Sequence, residues 1–549
     1  MTKFCPDVRL NPMDRRDFRI AFLLGISAFF LIAITINQPG LTWDEANYIP
    51  SSISYLDWFR QLKSPHAFSA AVITKYWLAT REHPPLAKLL SALTILIFHN
   101  TAGLIAAARL SVAAGFSLLL VLVYWLVRQF HNWKAGLFSA LSLLIMPRLF
   151  GQAHLATLDM PMTMMSVLVV FSFIRGINSW RWSLLFGLFF GLALATKLNA
   201  LFLPFPLLIW AHLYHRRQYS NNLMAMLFIS PLIFLAIWPW LWVDTSQRLL
   251  QYLALKIQRS AIPVYYLGKT YAKVPPPWHY PFLMTAITIP SGLLLTILAG
   301  FVRVIKLSFQ VPGMKTSPLP NGPARNEHLQ VFTHSQVGML VIFSAFFPLL
   351  LMSLPGVPKY DGIRLFLPAF PFLAILSGIG LAWLAENAAG FIRRKFHLRT
   401  IIRLPLVIGL LFLGLNAWPL VAISPYYLSY YNGLVGGVRG ARKLGLETTY
   451  WGDTMTQTVL NYLNKQPPGT KVNFFPVGSN VVPLLKLTGE LRSDIEVTSR
   501  QKADILVLNC RQGFFDKQLW KIYKERKPLK GAGTFYQGVP LTAVYRLKQ

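Results

Sequence analysis

Two adjacent carboxylates, Asp44 and Glu45, follow the first apolar stretch of the chain in the segment L-T-W-D-E-A-N-Y. A carboxylate near apolar surroundings has a raised pKa, so both side chains are candidates for a catalytic base that takes the proton of a hydroxyl. Asp44 also has a structural interpretation, as the N-cap of a short helix that runs from Glu45 towards Trp58. The two interpretations are compatible.

A second reactive cluster lies in the same loop, in R-E-H-P-P-L-A-K. Glu82, His83 and Lys88 are predicted to contact a substrate there. Glu82 and His83 are also candidate metal ligands, with His279 of P-P-P-W-H-Y as a third. Loop histidines are more often plain polar residues, so the metal site is the less favoured of the two interpretations. A divalent metal is the one cofactor that the sequence leaves open.

A third carboxylate and three cations stand at the ends of other apolar stretches. Asp159 opens one in T-L-D-M-P, where it is either a third catalytic candidate or a helix cap with Pro161 in the first turn. Burying a lone cation in a bilayer costs at least ~2.5 kcal/mol on insertion scales and less near the interface, so Lys197 is expected to have an anionic partner unless it snorkels to the surface. Together with Arg109 and Arg364 it suits a phosphate, which guanidinium groups bind in a bidentate way.

Composition indicates how these residues are held. Of the 549 residues, 54% are hydrophobic and only 13% are charged, against about 25% in soluble domains. The net charge of +33 comes from short basic clusters between apolar runs, which is typical of cytoplasmic loops rather than of nucleic-acid binding. We therefore expect an all-α polytopic membrane protein, whose first span is uncleaved and whose two cysteines, Cys5 and Cys510, lie on opposite sides.

About eleven stretches are long and apolar enough to span a membrane. They are 19–37, 109–128, 134–148, 160–174, 182–197, 199–214, 222–242, 283–305, 337–354, 364–384 and 402–422. The positive-inside bias holds only if Leu86 to Phe98 does not cross, so we interpret this segment as a helix lying in the interface. Asp44, Glu82 and Asp159 then all fall on the outer side of the cell membrane.

This topology predicts two domains. Residues 1–422 form the membrane domain, with a large outer loop at 38–108, a second at 243–282 and a flexible linker at 307–335. Residues 423–549 are more polar and form a soluble α/β domain on the outer face. Its predicted strands and helices include Lys471 to Phe475, Asp504 to Leu508, Thr456 to Asn464 and Phe515 to Tyr523.

The combination of W-D-E, H-P-P-L-A-K, the arginine Arg109 and L-D-M-P resembles the protein O-mannosyltransferase family and its lipid A aminoarabinose-transferase relatives, within the GT-C glycosyltransferases. The likeness continues in R-L-F-L-P-A-F-P from Arg364 and in Y-Y-N-G-L-V-G-G and T-T-Y-W-G-D at 430–453. It covers about the first 450 residues. His83 stands where the aminoarabinose transferases have a lysine, and Asn47 where they have an arginine.

The resemblance implies a membrane enzyme that moves a sugar from a polyprenyl-phosphate donor to a protein hydroxyl or a glycolipid outside the cytoplasm. It implies transfer by direct displacement with inversion, without a nucleotide sugar. The aspartate matching Asp44 is then the base or the acceptor-orienting residue, and nearby cations hold the lipid phosphate. The rival hypothesis is a transporter or lipid flippase, which would place charges in mid-span and in repeated halves; the sequence has neither pattern.

Overall fold

The computed structural model describes residues 13–79, 81–216, 218–257, 261–309, 324–396 and 403–547. Cys5 and residues 310–323 of the predicted linker 307–335 lie outside these ranges, and residues 324–335 of that linker belong to a helix. The helices up to the end of the apolar region are named α1 to α17 in chain order. They are α1 Arg15–Thr35, α2 Glu45–Arg60, α3 Ala70–Trp77, α4 Leu86–Ala102, α5 Leu104–Phe130, α6 Trp133–Leu144, α7 Pro147–Gln152, α8 Asp159–Gly176, α9 Trp180–Leu194, α10 Pro204–Tyr214, α11 Ser220–Ile237, α12 Thr245–Ile257, α13 Tyr280–Thr288, α14 Ser291–Phe309, α15 Ala324–Ser353, α16 Phe370–Lys395 and α17 Leu404–Ile423.

Eight helical segments among the described residues are long and apolar enough to cross a membrane, and each coincides with a predicted span. The predicted spans 134–148, 182–197 and 199–214 are shorter apolar helices, so the count of eleven is confirmed only in part. The span predicted at 283–305 is divided into α13 and α14 on either side of Pro290, which has no backbone N–H to continue the helix. The segment predicted to lie in the interface is helical as α4; its position relative to a membrane stays a prediction.

The candidate spans differ in how much of their surface the protein covers. In α8, 83% of the residues of the apolar window are buried, and in the segment that ends in α16 the value is 89%. In α1, α11 and α17 it is only 17%, so these helices form the periphery and leave apolar side chains for lipid. Asp159 begins α8 and Arg364 begins the 3-10 turn Arg364–Ala369 that leads into α16. Two of the predicted site residues therefore stand at the ends of interior helices.

Two segments between the spans carry their own structure. Residues 38–103 contain α2, α3 and α4, and residues 243–282 contain α12 and an antiparallel hairpin of β1 Val264–Tyr266 and β2 Lys269–Tyr271. The backbone of Gly40 lies so close to the C-terminal region that a Cβ atom would stand 2.3 Å from the carbonyl oxygen of Met455. This close approach requires glycine at position 40.

The C-terminal region is a mixed α/β unit, as predicted. Its strands are β3 Lys471–Phe475, β4 Glu496–Val497, β5 Ile505–Asn509, β6 Thr534–Tyr536 and β7 Val539–Arg546, and its helices are α18 Gly437–Lys443, α19 Gln457–Asn464, α20 Gly478–Leu487 and α21 Lys517–Glu525. The strand order is β4-β3-β5-β7-β6, with β3 parallel to β4 and β5, and β7 antiparallel to β5 and β6. Successive strand residues point to opposite faces, so Ile505 and Val507 pack towards α19 and α20, and Leu506 and Leu508 towards α21.

Candidate active site

The segment T-W-D-E begins α2, but Asp44 does not cap it. Asp44 is at the N-cap position and makes no side-chain cap hydrogen bond. Thr42 and Glu45 satisfy the helix start instead, because the Glu45 carboxylate accepts from the backbone N–H and the hydroxyl of Thr42 at 3.0 and 2.9 Å. The capping interpretation of Asp44 is therefore wrong, and its carboxylate turns to Arg364 and, at 3.5 Å, to the hydroxyl of Tyr48.

Glu45 and Arg109 form a buried structural pair. The Arg109 guanidinium donates to both Glu45 carboxylate oxygens at 2.7 and 2.9 Å, and to the carbonyl oxygens of Ile36, Pro39 and Gly40. These bonds use all five N–H groups of an arginine. Both side chains are almost fully covered and hold the loop between α1 and α2, so this geometry does not support the predictions that Arg109 holds a phosphate and that Glu45 is catalytic.

Arg364 lies at the centre of the polar cluster that the sequence predicted only in part. Its guanidinium binds the carboxylates of Asp44, Asp159 at 2.8 Å and Asp361 at 3.0 Å. The face of the guanidinium lies 4.0 Å from the centre of the Trp451 ring. These bonds use three of its five N–H groups among the described residues, so donors remain for a ligand.

Lys197 has the anionic partner expected of a buried cation. Its ammonium group binds Asp159, whose other carboxylate oxygen accepts from Arg364. Lys197 is therefore buried rather than snorkelling, and Asp159 makes no cap bond at the start of α8. Asp159 holds two cations side by side, which is the arrangement that a phosphate group requires.

The cluster also contains Asp361, Trp451 and Arg511, which the sequence did not indicate as site residues. Asp361 accepts from Trp451 Nε1 at 2.8 Å and from Arg511 at 2.6 Å, in addition to its bond to Arg364. Asp361 also has a left-handed backbone, with φ of 57°, which is unusual for a residue other than glycine and common at functional sites. The available signal was K-Y-D-G-I-R, where an acidic residue and a glycine precede an arginine.

The loop 81–88 reaches the same place. His83 and Glu82 line the cavity that contains Asp44, and the His83 ring lies edge-on to Tyr48 at 6.0 Å. Lys88 is buried and donates to the backbone carbonyl of His83 at 2.9 Å, so it positions the loop rather than facing a ligand. This geometry does not support the predicted contact of Lys88 with a substrate.

The three candidate metal ligands do not meet. Among the described residues, no group of three or more His, Cys, Asp and Glu side chains could hold a metal ion. His279 instead shares a hydrogen bond of 2.9 Å with the hydroxyl of Tyr266 in β1. Nothing in the described part of the chain therefore supports a metal centre made of Glu82, His83 and His279.

Two cavities meet at Arg364 and His83. One has a volume of about 390 Å³ and is mainly apolar, with Asp159 and Lys197 at its polar end and side chains of α8, α15 and α16 along its length. The other has a volume of about 410 Å³ and is polar and aromatic. Its lining residues include Trp43, Asp44, Asn47, Asp361, Trp451, Arg511 and Phe514. Three acidic residues bind Arg364, and the side chain of Asp44 is the most exposed of the three, at 19%.

The two adjacent acids differ in protonation behaviour. Burial raises the pKa of Asp44 above its ordinary value, and the opposing effect of Arg364 does not cancel this shift. Burial would also raise the pKa of Glu45, but Arg109 and the backbone N–H groups of Ala156 and Thr42 hold it below its usual range. Of the two carboxylates, Asp44 is therefore the stronger proton acceptor.

Part of the chain matches a known sequence family. Residues 82–243 match the dolichyl-phosphate-mannose-protein mannosyltransferase family. This segment includes Glu82, His83, Asp159 and Lys197. No curated protein matches the chain.

Solved structures share the fold over most of the chain. ArnT from Cupriavidus metallidurans in the apo state is 16% identical, with a TM-score of 0.50 over 93% of this chain and 91% of that one. The same protein bound to undecaprenyl phosphate gives 14% identity and a TM-score of 0.49 over 96% and 97%. The oligosaccharyltransferase from Archaeoglobus fulgidus in the apo form is 12% identical, with a TM-score of 0.50 over 88% of this chain and 65% of that one.

The likeness to ArnT and the oligosaccharyltransferase indicates the fold, and the family match adds a sequence signature around the site. The predicted resemblance is confirmed: the chain has the fold of the GT-C glycosyltransferases, and its segment 82–243 carries the signature of the dolichyl-phosphate-mannose-protein mannosyltransferases.

Proposed function

We propose that this protein is an integral membrane glycosyltransferase that moves a sugar from a polyprenyl-phosphate donor to a hydroxyl of an extracytoplasmic acceptor. The observation that carries the proposal is the position of Arg364. It stands between an apolar cavity that suits a lipid and a polar cavity that contains a base. The family match supports a donor of the dolichyl-phosphate-sugar class.

The apolar cavity is the proposed site of the lipid. Its walls are mostly apolar side chains such as Met162, Phe347 and Leu351, and its polar end carries Lys197 and Arg364. A polyprenyl chain lies along such walls without losing hydrogen bonds, while its phosphate requires cations where it leaves water. We assign Lys197, Arg364 and the adjacent His83 to the phosphate, and Asp159 to holding the first two in place.

The polar cavity is the proposed site of the sugar and the acceptor hydroxyl. Asp44 takes the proton of the acceptor hydroxyl while the hydroxyl oxygen forms a bond to the anomeric carbon of the sugar. The bond from that carbon to the phosphate oxygen breaks, and the phosphate leaves with the electron pair. Cations fixed around the leaving group stabilise its developing charge, and attack from the side opposite the phosphate inverts the anomeric centre. Glu82 and Asn47 line this cavity and are assigned to the sugar or acceptor.

We assign residues 1–422 to the catalytic membrane domain and residues 423–549 to a domain on the outer face. The basic clusters at the ends of the helices support this orientation, since positive residues concentrate on the cytoplasmic side. The apolar segment Arg364–Lys395 begins with Arg364. Its other end, the last turn of α16, carries the basic residues Arg393, Arg394 and Lys395. The reaction would then occur at the outer surface of the cell membrane.

The test is transfer of label from a panel of radiolabelled polyprenyl-phosphate sugars by the purified protein in lipid nanodiscs. Protein hydroxyls and glycolipids serve as acceptors in parallel reactions. We expect one donor to lose its label to one acceptor class, and Lys197→Gln to weaken donor affinity by about tenfold or more, because one charge-assisted hydrogen bond is lost. Arg175→Gln is a matched control for a cation at the other end of α8. Movement of intact lipid across the bilayer without bond cleavage would instead favour a flippase.

A further inference from the structure

The C-terminal region places one of its own cations at the reaction centre. Arg511 follows β5 and its side chain is only 3% exposed. It donates to Asp361 Oδ1 at 2.6 Å and to the carbonyl oxygen of Tyr450 at 3.2 Å. Its guanidinium also lies 4.6 Å from the centre of the Phe514 ring, which lines the polar cavity.

Asp361 transmits this contact to Arg364. One carboxylate oxygen of Asp361 is bound by Arg511, and the other accepts from Arg364 and from Trp451 Nε1. Trp451 also lies under the Arg364 guanidinium. A carboxylate held on both oxygens has a fixed orientation. Arg511 therefore affects the position of Arg364 indirectly, through Asp361.

We propose that Arg511 is a positioning residue, through which the C-terminal domain sets Arg364 for the lipid phosphate and completes the active site. This inference rests on the proposed function. It also assigns a role to a residue outside the segment that matches the mannosyltransferase family, which ends at residue 243.

The charges of the cluster support the assignment. Three carboxylates, on Asp44, Asp159 and Asp361, face three cations, on Lys197, Arg364 and Arg511. The charged groups that act on Asp44 most strongly are Arg364, Asp159, Asp361 and Lys197, while Tyr48, Glu82 and His83 lie around the same cavity. Removing the charge of Arg511 leaves Asp361 less neutralised. We expect this change to raise the pKa of Asp44 further and to move the acid limb of the activity profile to higher pH.

The test compares Arg511→Gln and Arg511→Lys with Arg500→Gln, a matched control that loses an arginine–aspartate pair elsewhere in the same domain. We expect kcat per folded molecule to fall ~10²-fold in Arg511→Gln, the effect of misplacing a binding group by about 1 Å. The acid limb should move to higher pH. Arg511→Lys should restore the limb but not kcat, because an ammonium group keeps the charge without the two-pronged geometry. Arg500→Gln should match the wild type.

Equal kcat and equal pH profiles in Arg511→Gln and Arg500→Gln would overturn the proposal. A cryo-EM structure of Arg511→Gln in nanodiscs gives a readout that needs no turnover: Arg364 should leave its position between Asp44 and Asp159. An unmoved Arg364 would also overturn the proposal. Wild-type protein that transfers no sugar from any donor would count against the proposed function, and the structure of Arg511→Gln would still decide what Arg511 does.

Discussion

The role of each acidic residue of the site depends on the side chains that it contacts rather than on its residue type. The sequence predicted Asp44 as the base, with Glu45 and Asp159 as further catalytic candidates. Glu45 is paired with Arg109, 64 residues away, and Asp159 is bound by cations 38 and 205 residues away. No local pattern reveals partners at such separations, so the sequence identified the three acids but not the cations that bind Glu45 and Asp159.

The pH dependence of transfer should report Asp44. A base acts when it is deprotonated, so kcat/KM should rise with pH through the pKa of Asp44, which burial places above the ordinary value of 3.8. The measurement is kcat/KM for the donor between pH 4 and 8. The limb should be absent from the residual activity of Asp44→Asn and intact in Asp57→Asn, which changes an exposed acid on α2. An acid limb that persists in Asp44→Asn would exclude Asp44 as the titrating group.

Among the secondary-structure elements, the long apolar helices were predicted well because apolar length is a local property of the chain. The functions of the residues at the helix ends were not predicted, because they depend on the elements that pack against each end. Thr42 and Glu45 form a T-x-x-E capping box that the sequence displays, and the capping role was nevertheless assigned to Asp44.

The pair between Glu45 and Arg109 should contribute to folding rather than to donor binding. Arg109→Met leaves a buried carboxylate without its partner, and breaking such a pair costs ~3–5 kcal/mol. We expect a large loss of monodisperse protein in size-exclusion chromatography and a lower Tm. The double variant Arg109→Met/Glu45→Gln should recover part of the loss, and Arg60→Met, which removes an exposed pair with Asp57, should change little. A stable Arg109→Met with weakened donor affinity would contradict this assignment.

Glu447 connects Tyr265 of the β1–β2 hairpin to the turn Gln512–Phe514, which follows Arg511. Its carboxylate accepts from the backbone N–H of Gly513 at 3.0 Å, and burial raises the pKa of Glu447 to about 7. The folded state then binds more protons than the unfolded state between the ordinary value of 4.5 and about 7, so stability falls as pH rises through this window.

Replacing this acid should therefore stabilise the fold only at high pH. Glu447→Gln keeps an acceptor for Gly513 and removes the charge, so Tm should rise at pH 8 by about 2–4 °C for each kcal/mol recovered, and stay unchanged at pH 5. Differential scanning fluorimetry at both pH values measures the effect, with the exposed Glu525→Gln as control. An equal change of Tm at both pH values would show that ionisation of Glu447 is not the cause.

For the whole molecule, the sequence predicted a helical membrane region followed by an α/β region, because both follow from composition and periodicity. The gathering of Asp44, Asp159 and Arg364 in one place was supported by the predicted parity of the spans. The contribution of Arg511 was not predictable, because it depends on how the C-terminal sheet docks above the helices. Backbone groups take part in this packing as well as side chains, with Trp43 N–H donating to the carbonyl of Trp451 at 3.1 Å.

The sidedness of the molecule is open to direct test. In a variant without native cysteines, single cysteines at the exposed positions Gln61, Lys517 and Lys395 are treated in intact cells with a membrane-impermeant maleimide. We expect labelling of Gln61→Cys and Lys517→Cys, and labelling of Lys395→Cys only after permeabilisation. Reaction of Lys395→Cys in intact cells would reverse the proposed orientation.

The decisive comparison is single-turnover transfer by wild type and Asp44→Asn, with donor affinity measured on the same preparations. Asparagine preserves the size of the side chain and removes the base, so the transfer step should slow by ~10²–10⁴-fold while donor affinity and the amount of folded protein stay the same. Asp57→Asn should behave as wild type. Wild-type single-turnover rates in Asp44→Asn, on a donor and acceptor that the wild type uses, would remove Asp44 from the chemistry and contradict the assignment of the active site.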